Sequence, residues 1–83
     1  MEMMTNSIVE RVSVDGGDRY ELVAVRFWDR VNGLSWGAGV KSDGMDVWDS
    51  APLFYATSAM ALACARKALT MVLSGQKPEM VHP

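Results

Sequence analysis

Eighty-three residues are too few for two hydrophobic cores, because a chain of this size buries only roughly 60 to 65% of its extended surface. With 49% hydrophobic and 22% charged residues, the chain has enough apolar surface to fold as one small globular unit rather than remain disordered. A net charge of −2, from eight Lys and Arg against ten Asp and Glu, removes any general attraction to phosphate backbones and makes nucleic acid a less favoured partner.

The start, "MEMMTNS", lacks the basic and then apolar pattern of a signal peptide. Strands are predicted at about 7–14, "SIVERVSV", and about 19–31, beginning "RYELVAV", with "DGGD" at Asp15 to Asp18 turning the chain between them. That turn sets Ser13 near Tyr20 and Val12 near Glu21. Asn32-Gly33 then predicts a two-residue hairpin, because both residues tolerate positive φ, and a third strand at about 34–41. Closing the hairpin there pairs Val31 with Leu34, Asp29 with Trp36, Phe27 with Ala38 and Val25 with Val40. Alternation puts those side chains on one apolar face, together with Ile8, Val12 and Val14. Glu10 and Glu21 are misfits on that face and belong near its margin.

Residues 46–57 resist assignment beyond turn formers and acids. From Thr57 or Ser58, either able to cap a helix start, "SAMALACARKALTMVL" predicts a helix over about 58–73, ended by Gly75 and Pro78. Ala61, Leu62, Ala65, Ala68, Leu69 and Val72 form its sheet-facing stripe, with Arg66, Lys67 and Thr70 opposite. Residues 76–83 form a loose tail. The fold expected is α+β: an antiparallel sheet of three or more strands, ordered 1-2-3, with one C-terminal helix packed on one face.

The chain offers little to catalysis. His82, the only histidine, stands next to the last residue, and neither Ser58 nor Cys64 has a visible base beside it. Cys64 is the only cysteine, which excludes an internal disulfide, fits a reducing compartment and reads as a small buried hydrophobe. Asp43, Asp46 and Asp49 are spaced too sparsely for a calcium loop, and the glycines lack the spacing of a phosphate loop. No cofactor and no metal is expected. The longest uncharged apolar stretch, Ala51 to Ala65, is 15 residues, short of the ~20 a membrane helix needs, so no membrane partner is expected either.

The face opposite the predicted core carries the functional content. Arg11, Tyr20, Leu22, Arg26, Trp28, Arg30 and Lys41 combine basic and aromatic side chains, the types that dominate interface energetics. Trp28 is expected across from Gly37, exposed, while Trp36 is buried. Arg11, Tyr20, Arg26, Trp28, Arg30 and Lys41 are therefore candidate contacts in a non-enzymatic protein-binding module, with self-association as a homodimer through the same face left open. A blander account is that Trp28 shields backbone bared by Gly37 and the arginines merely solvate a sheet. A single-stranded nucleic-acid-binding protein, stacking bases on Trp28 and Tyr20, is the alternative from another class.

The short N-terminal strand, the hairpin "RYELVAVRFWDRVNGLSWGAGV" and the alanine-rich helix "TSAMALACARKALTMVLSG" give the chain a plan that resembles small phage-encoded anti-CRISPR proteins. The resemblance spans roughly residues 8 to 75, is one of size and plan, and carries over no functional residue. It implies an inhibitor acting in the cytoplasm of a bacterial host by binding a CRISPR–Cas complex. The order of elements is also similar to that of HicB-type antitoxin domains and of double-stranded-RNA-binding domains, although the basic helix start of the latter is missing here.

Overall fold

The computed structural model describes residues 7–14, 18–31, 33–51 and 53–78. The predicted turn residues 15–17, Asn32 and the tail from 79 onward, His82 included, lie outside the described residues. Four antiparallel strands, β1 (Ser7–Val14), β2 (Asp18–Asp29), β3 (Gly33–Ser42) and β4 (Met45–Asp49), form one sheet in the order β1-β2-β3-β4. The helix α1 (Ser58–Leu73) lies across β2 and β3 on one face. This is the predicted α+β plan, with a fourth strand added from the unassigned region.

β4 exists because Asp43-Gly44 makes the tight turn that Asn32-Gly33 was expected to make. Asp43 has φ 51° and Gly44 φ 80°, and Ser42 pairs directly with Met45, so a two-residue turn with both central residues left-handed joins β3 to β4. At the β2–β3 connection, Asp29 pairs with Gly33 instead, leaving three residues between the strands. At the β1–β2 connection Val14 pairs with Asp18, again leaving three.

The β2–β3 connection is one residue longer than expected and the β1–β2 connection one residue shorter, and an odd change of register exchanges the two faces of a strand. β2 is therefore inverted relative to both neighbours, which keep their expected faces. Leu22 and Ala24, not Val23, Val25 and Phe27, point at the helix, beside Ala38 and Val40. The expected pairs Phe27 with Ala38 and Val25 with Val40 are replaced by Ala24 with Ala38 and Leu22 with Val40. The strand allows this because both its parities are apolar, so alternation alone does not choose between them.

The core is built on small side chains. Ala24 and Ala38 on the sheet meet Ala61, Cys64, Ala65 and Ala68 on the helix, and Leu22, Val40 and Cys64 are the largest side chains with no exposure. Alanine contacts let helix and sheet approach closely, so burial comes from density rather than bulk. Thr57 caps the helix start by accepting from Met60 N–H at 3.1 Å. At its end Gln76 N–H donates to Met71 O at 2.8 Å and Gly75 N–H to Val72 O at 3.0 Å, a paired closure that needs the left-handed φ of 80° at Gly75. Glu10, expected at the core margin, lies on the helix side of β1 and pairs with Arg66 of α1.

After β4 the chain leaves β3 at Ser50 and rejoins it at Tyr55, whose N–H and C=O both bond Trp36 at 2.8 Å. Ser50 makes this departure feasible: its hydroxyl accepts from the buried Ala38 N–H at 2.9 Å and donates to Leu53 O at 2.8 Å, replacing a strand carbonyl. Burial, then the neighbouring Cys64 thiol, holds the Tyr55 phenol well above its ordinary 10.0, with Ser50 pulling the other way. Ser50→Ala strands the Ala38 N–H in an apolar setting and should cost about 1–3 kcal/mol. A shift in denaturant midpoint without a change in slope would show it; an unmoved midpoint would mean the hydroxyl is dispensable.

Candidate functional site

β2 and β3 run past the helix, and their far end forms the most exposed aromatic feature among the described residues. Along the helix side the cross-strand pairs run Tyr20 with Ser42, Leu22 with Val40, Ala24 with Ala38, Arg26 with Trp36 and Trp28 with Leu34. The first of these pack under α1. By the last pair the sheet has left its cover: Trp28 is 71% exposed and Leu34 47%, with Arg30 and Val31 exposed in the turn beyond. A helix of 16 residues is about 24 Å long and shields only the strand length it crosses, so Arg26 and Trp28 share a face with the core without belonging to it.

Trp28 is thus exposed and Trp36 partly buried against the core, as expected, but on the same face and not opposite ones. Trp28 stands across from Leu34, so it does not cover Gly37. Arg26 and Arg30 flank it, and among the described residues neither has an ion-pair partner.

The other expected contacts are elsewhere. Tyr20, eight positions along β2 and so roughly 26 Å from Trp28, packs against the core cluster. Arg11 and Lys41 do lie on the uncovered face, but each is engaged there: Arg11 with Glu21 at 3.7 Å and Lys41 with Asp46 at 3.7 Å. Six residues expected on one face therefore divide into a hairpin-end group of Arg26, Trp28 and Arg30, a core-packed Tyr20, and two ion-paired cations on the opposite side.

That opposite side holds what alternation in the sequence concealed. Val25 and Phe27 face away from the helix, and Phe54 folds over to meet Phe27 edge-on, ring centroids 5.2 Å apart. A Cβ on Gly37 would stand 3.0 Å from the Phe27 ring, so glycine gives that ring room to approach the strand. With Gly39, Asp49 and Ala51 these residues line a groove of about 440 Å³. The available signal was the double parity of β2, since a strand apolar on both faces is one that expects two neighbours.

Among the described residues no three His, Cys, Asp or Glu side chains stand close enough to hold a metal. The three aspartates around β4 have separate roles: Asp43 shapes the turn, Asp46 pairs with Lys41, and Asp49 accepts from Ala51 N–H at 2.9 Å. No helix among the described residues is long and apolar enough to cross a membrane. No protein-family model matches the chain, and neither a curated protein nor a solved structure matches it.

Proposed function

We propose that the chain is a non-enzymatic protein-binding module that docks through the free end of the β2–β3 hairpin, with Trp28 as anchor and Arg26 and Arg30 beside it. The observation that carries this reading is a tryptophan 71% exposed at a position where a solvated strand end needs only small polar side chains. Exposed tryptophan is costly to hydrate and, once seated in a partner's pocket, commonly dominates the affinity. Arginine beside it adds directional hydrogen bonds at the rim. The first partner class to test is a bacterial CRISPR–Cas effector complex, which the resemblance in size and plan implies, the chain then acting as an inhibitor by occupancy.

Nucleic acid is supported less. Stacking on Trp28 would have only Arg26 and Arg30 to meet phosphates, since Tyr20 is held against the core and Arg11 and Lys41 lie on the other face in ion pairs.

The experiment compares Trp28→Ala with Thr70→Ala, a change on the exposed back of α1, for binding to the protein that co-purifies from a bacterial lysate, after circular dichroism shows both variants folded. Trp28→Ala should weaken binding roughly thirtyfold or more, and Thr70→Ala should leave it unchanged. Equal affinity for wild type and Trp28→Ala would remove the hairpin end as the contact.

A further inference from the structure

The uncovered face of the sheet carries a pattern of charge and relief that is complementary to itself. We propose that this face is an interface between two copies of the chain, packed face to face about a two-fold axis that lies in the interface plane, midway between β2 and β3 and close to the strand direction. This lies beyond the hairpin-end reading, because it uses the opposite face.

The charges set the axis. Across the four strands in order, Arg11, Glu21, Lys41 and Asp46 form one row: Arg11 pairs with Glu21, Glu21 with Lys41 and Lys41 with Asp46 in the ladders. Their signs alternate. An axis along the strands reverses the order of the strands and nothing else, laying β1 over the second copy's β4 and β2 over its β3. An alternating row of four, reversed, has the opposite sign at every position. Arg11 then faces the second copy's Asp46, and Glu21 its Lys41, with every cation meeting an anion. An axis across the strands would instead set the charged row on the apolar end and desolvate it there with no opposite charge from the second copy, which is unfavourable.

The relief obeys the same axis. On β2 the face presents Val23 and Val25, whereas on β3 it presents Gly37 and Gly39, which line the groove. Reversal brings Val23 and Val25 of each copy over the second copy's Gly39 and Gly37, the latter roofed by its own Phe27 and Phe54 rings, and those rings, at 47% and 45% exposed, lose water. Aligned sheets pack about 10 Å apart with strands some 30° askew. A face of four strands, eight or so residues long, measures roughly 19 by 26 Å, which with side-chain relief approaches the ~800 Å² per partner of a standard interface.

Charge reversal separates this pairing from any other. Wild type should have twice the chain's 9.1 kDa by light scattering, and Glu21→Lys and Lys41→Glu should each run as a monomer, because each sets two like-charged pairs face to face. Mixed in equal amounts, the two variants should dimerise again, since every facing pair in the mixed dimer is of opposite sign. Neither site is buried, and circular dichroism confirms folding of each variant. Restoration on mixing cannot come from misfolded chains. A monomeric wild type, single variants that still dimerise, or a mixture that stays monomeric would each overturn the proposal. Trp28→Ala should dimerise as wild type does; loss of the dimer in that variant would put the contact at the hairpin end and overturn it as well, whereas loss of partner binding alone would bear only on the hairpin-end reading.

Discussion

Leu22→Asp should leave the chain unfolded in buffer, while Val25→Asp, three residues along the same strand, should fold with a loss of about 1 kcal/mol or less. Leu22 has no exposure and meets the underside of α1 among Ala24, Ala38 and Val40, with no polar group placed to receive a carboxylate. An unpaired carboxyl there must either stay charged in an apolar setting or take up a proton, and either course costs several kcal/mol. At about 0.05–0.15 kcal/mol per residue, an 83-residue fold holds roughly 4 to 12 kcal/mol in all, so that loss removes most of it. Val25 stands on the face turned from the helix and keeps part of its surface in water. The same carboxylate there remains hydrated. Far-ultraviolet circular dichroism in increasing urea, at a concentration low enough to keep the chain monomeric, reads both. If Val25→Asp proved the unfolded one, β2 would face the other way.

This contrast tests the point at which sequence and structure part. β1, β3 and α1 have one apolar parity or stripe each, and their faces were legible: Val12, Trp36, Ala38, Val40 and the helix residues Ala61, Ala65, Ala68 and Leu69 all sit on the expected side. β2 carries Leu22 and Ala24 on one parity and Val23, Val25 and Phe27 on the other. The choice between them rested on closing the hairpin at Asn32-Gly33, which set Val25 and Phe27 beside Val40 and Ala38 and left Arg26 and Trp28 on the other face. A face need not be wet or dry along its whole length, since a single helix dries only the part it crosses. Turn chemistry misled in the same place. Asn32-Gly33 and Asp43-Gly44 are equally good left-handed pairs, yet only the second is flanked by strands in two-residue register.

The candidate site was legible in composition but not in assembly. Arg26, Trp28 and Arg30 are near neighbours in sequence and stayed together, whereas Arg11, Tyr20 and Lys41 depended on the register and separated with it. The detour from Ser50 to Tyr55 has no sequence signature, because it rests on one hydroxyl standing in for a carbonyl twelve residues away from the N–H that it serves. Phe54 reaches the outer face only through that detour, so the apolar groove it closes could not be foreseen from strand alternation.

Leu69→Ala should cost about 2–4 kcal/mol, and Lys67→Ala no more than about 0.5 kcal/mol. The two residues are two positions apart on α1, hence roughly 200° around its axis, and the structure places Leu69 at 4% exposure in the core cluster and Lys67 on the exposed back. Leu69 is the largest buried side chain on a helix whose other buried positions are Ala61, Cys64, Ala65 and Ala68. Truncating it therefore opens a cavity that no neighbouring alanine is long enough to fill, and the full transfer and cavity terms apply. A core padded with larger side chains could relax around the loss. Here the close approach of helix and sheet, which the alanines make possible, is also what prevents the repair. Urea midpoints for the two variants measured side by side decide it: a Leu69→Ala loss well under 2 kcal/mol would show that the alanine interface is looser than its burial implies.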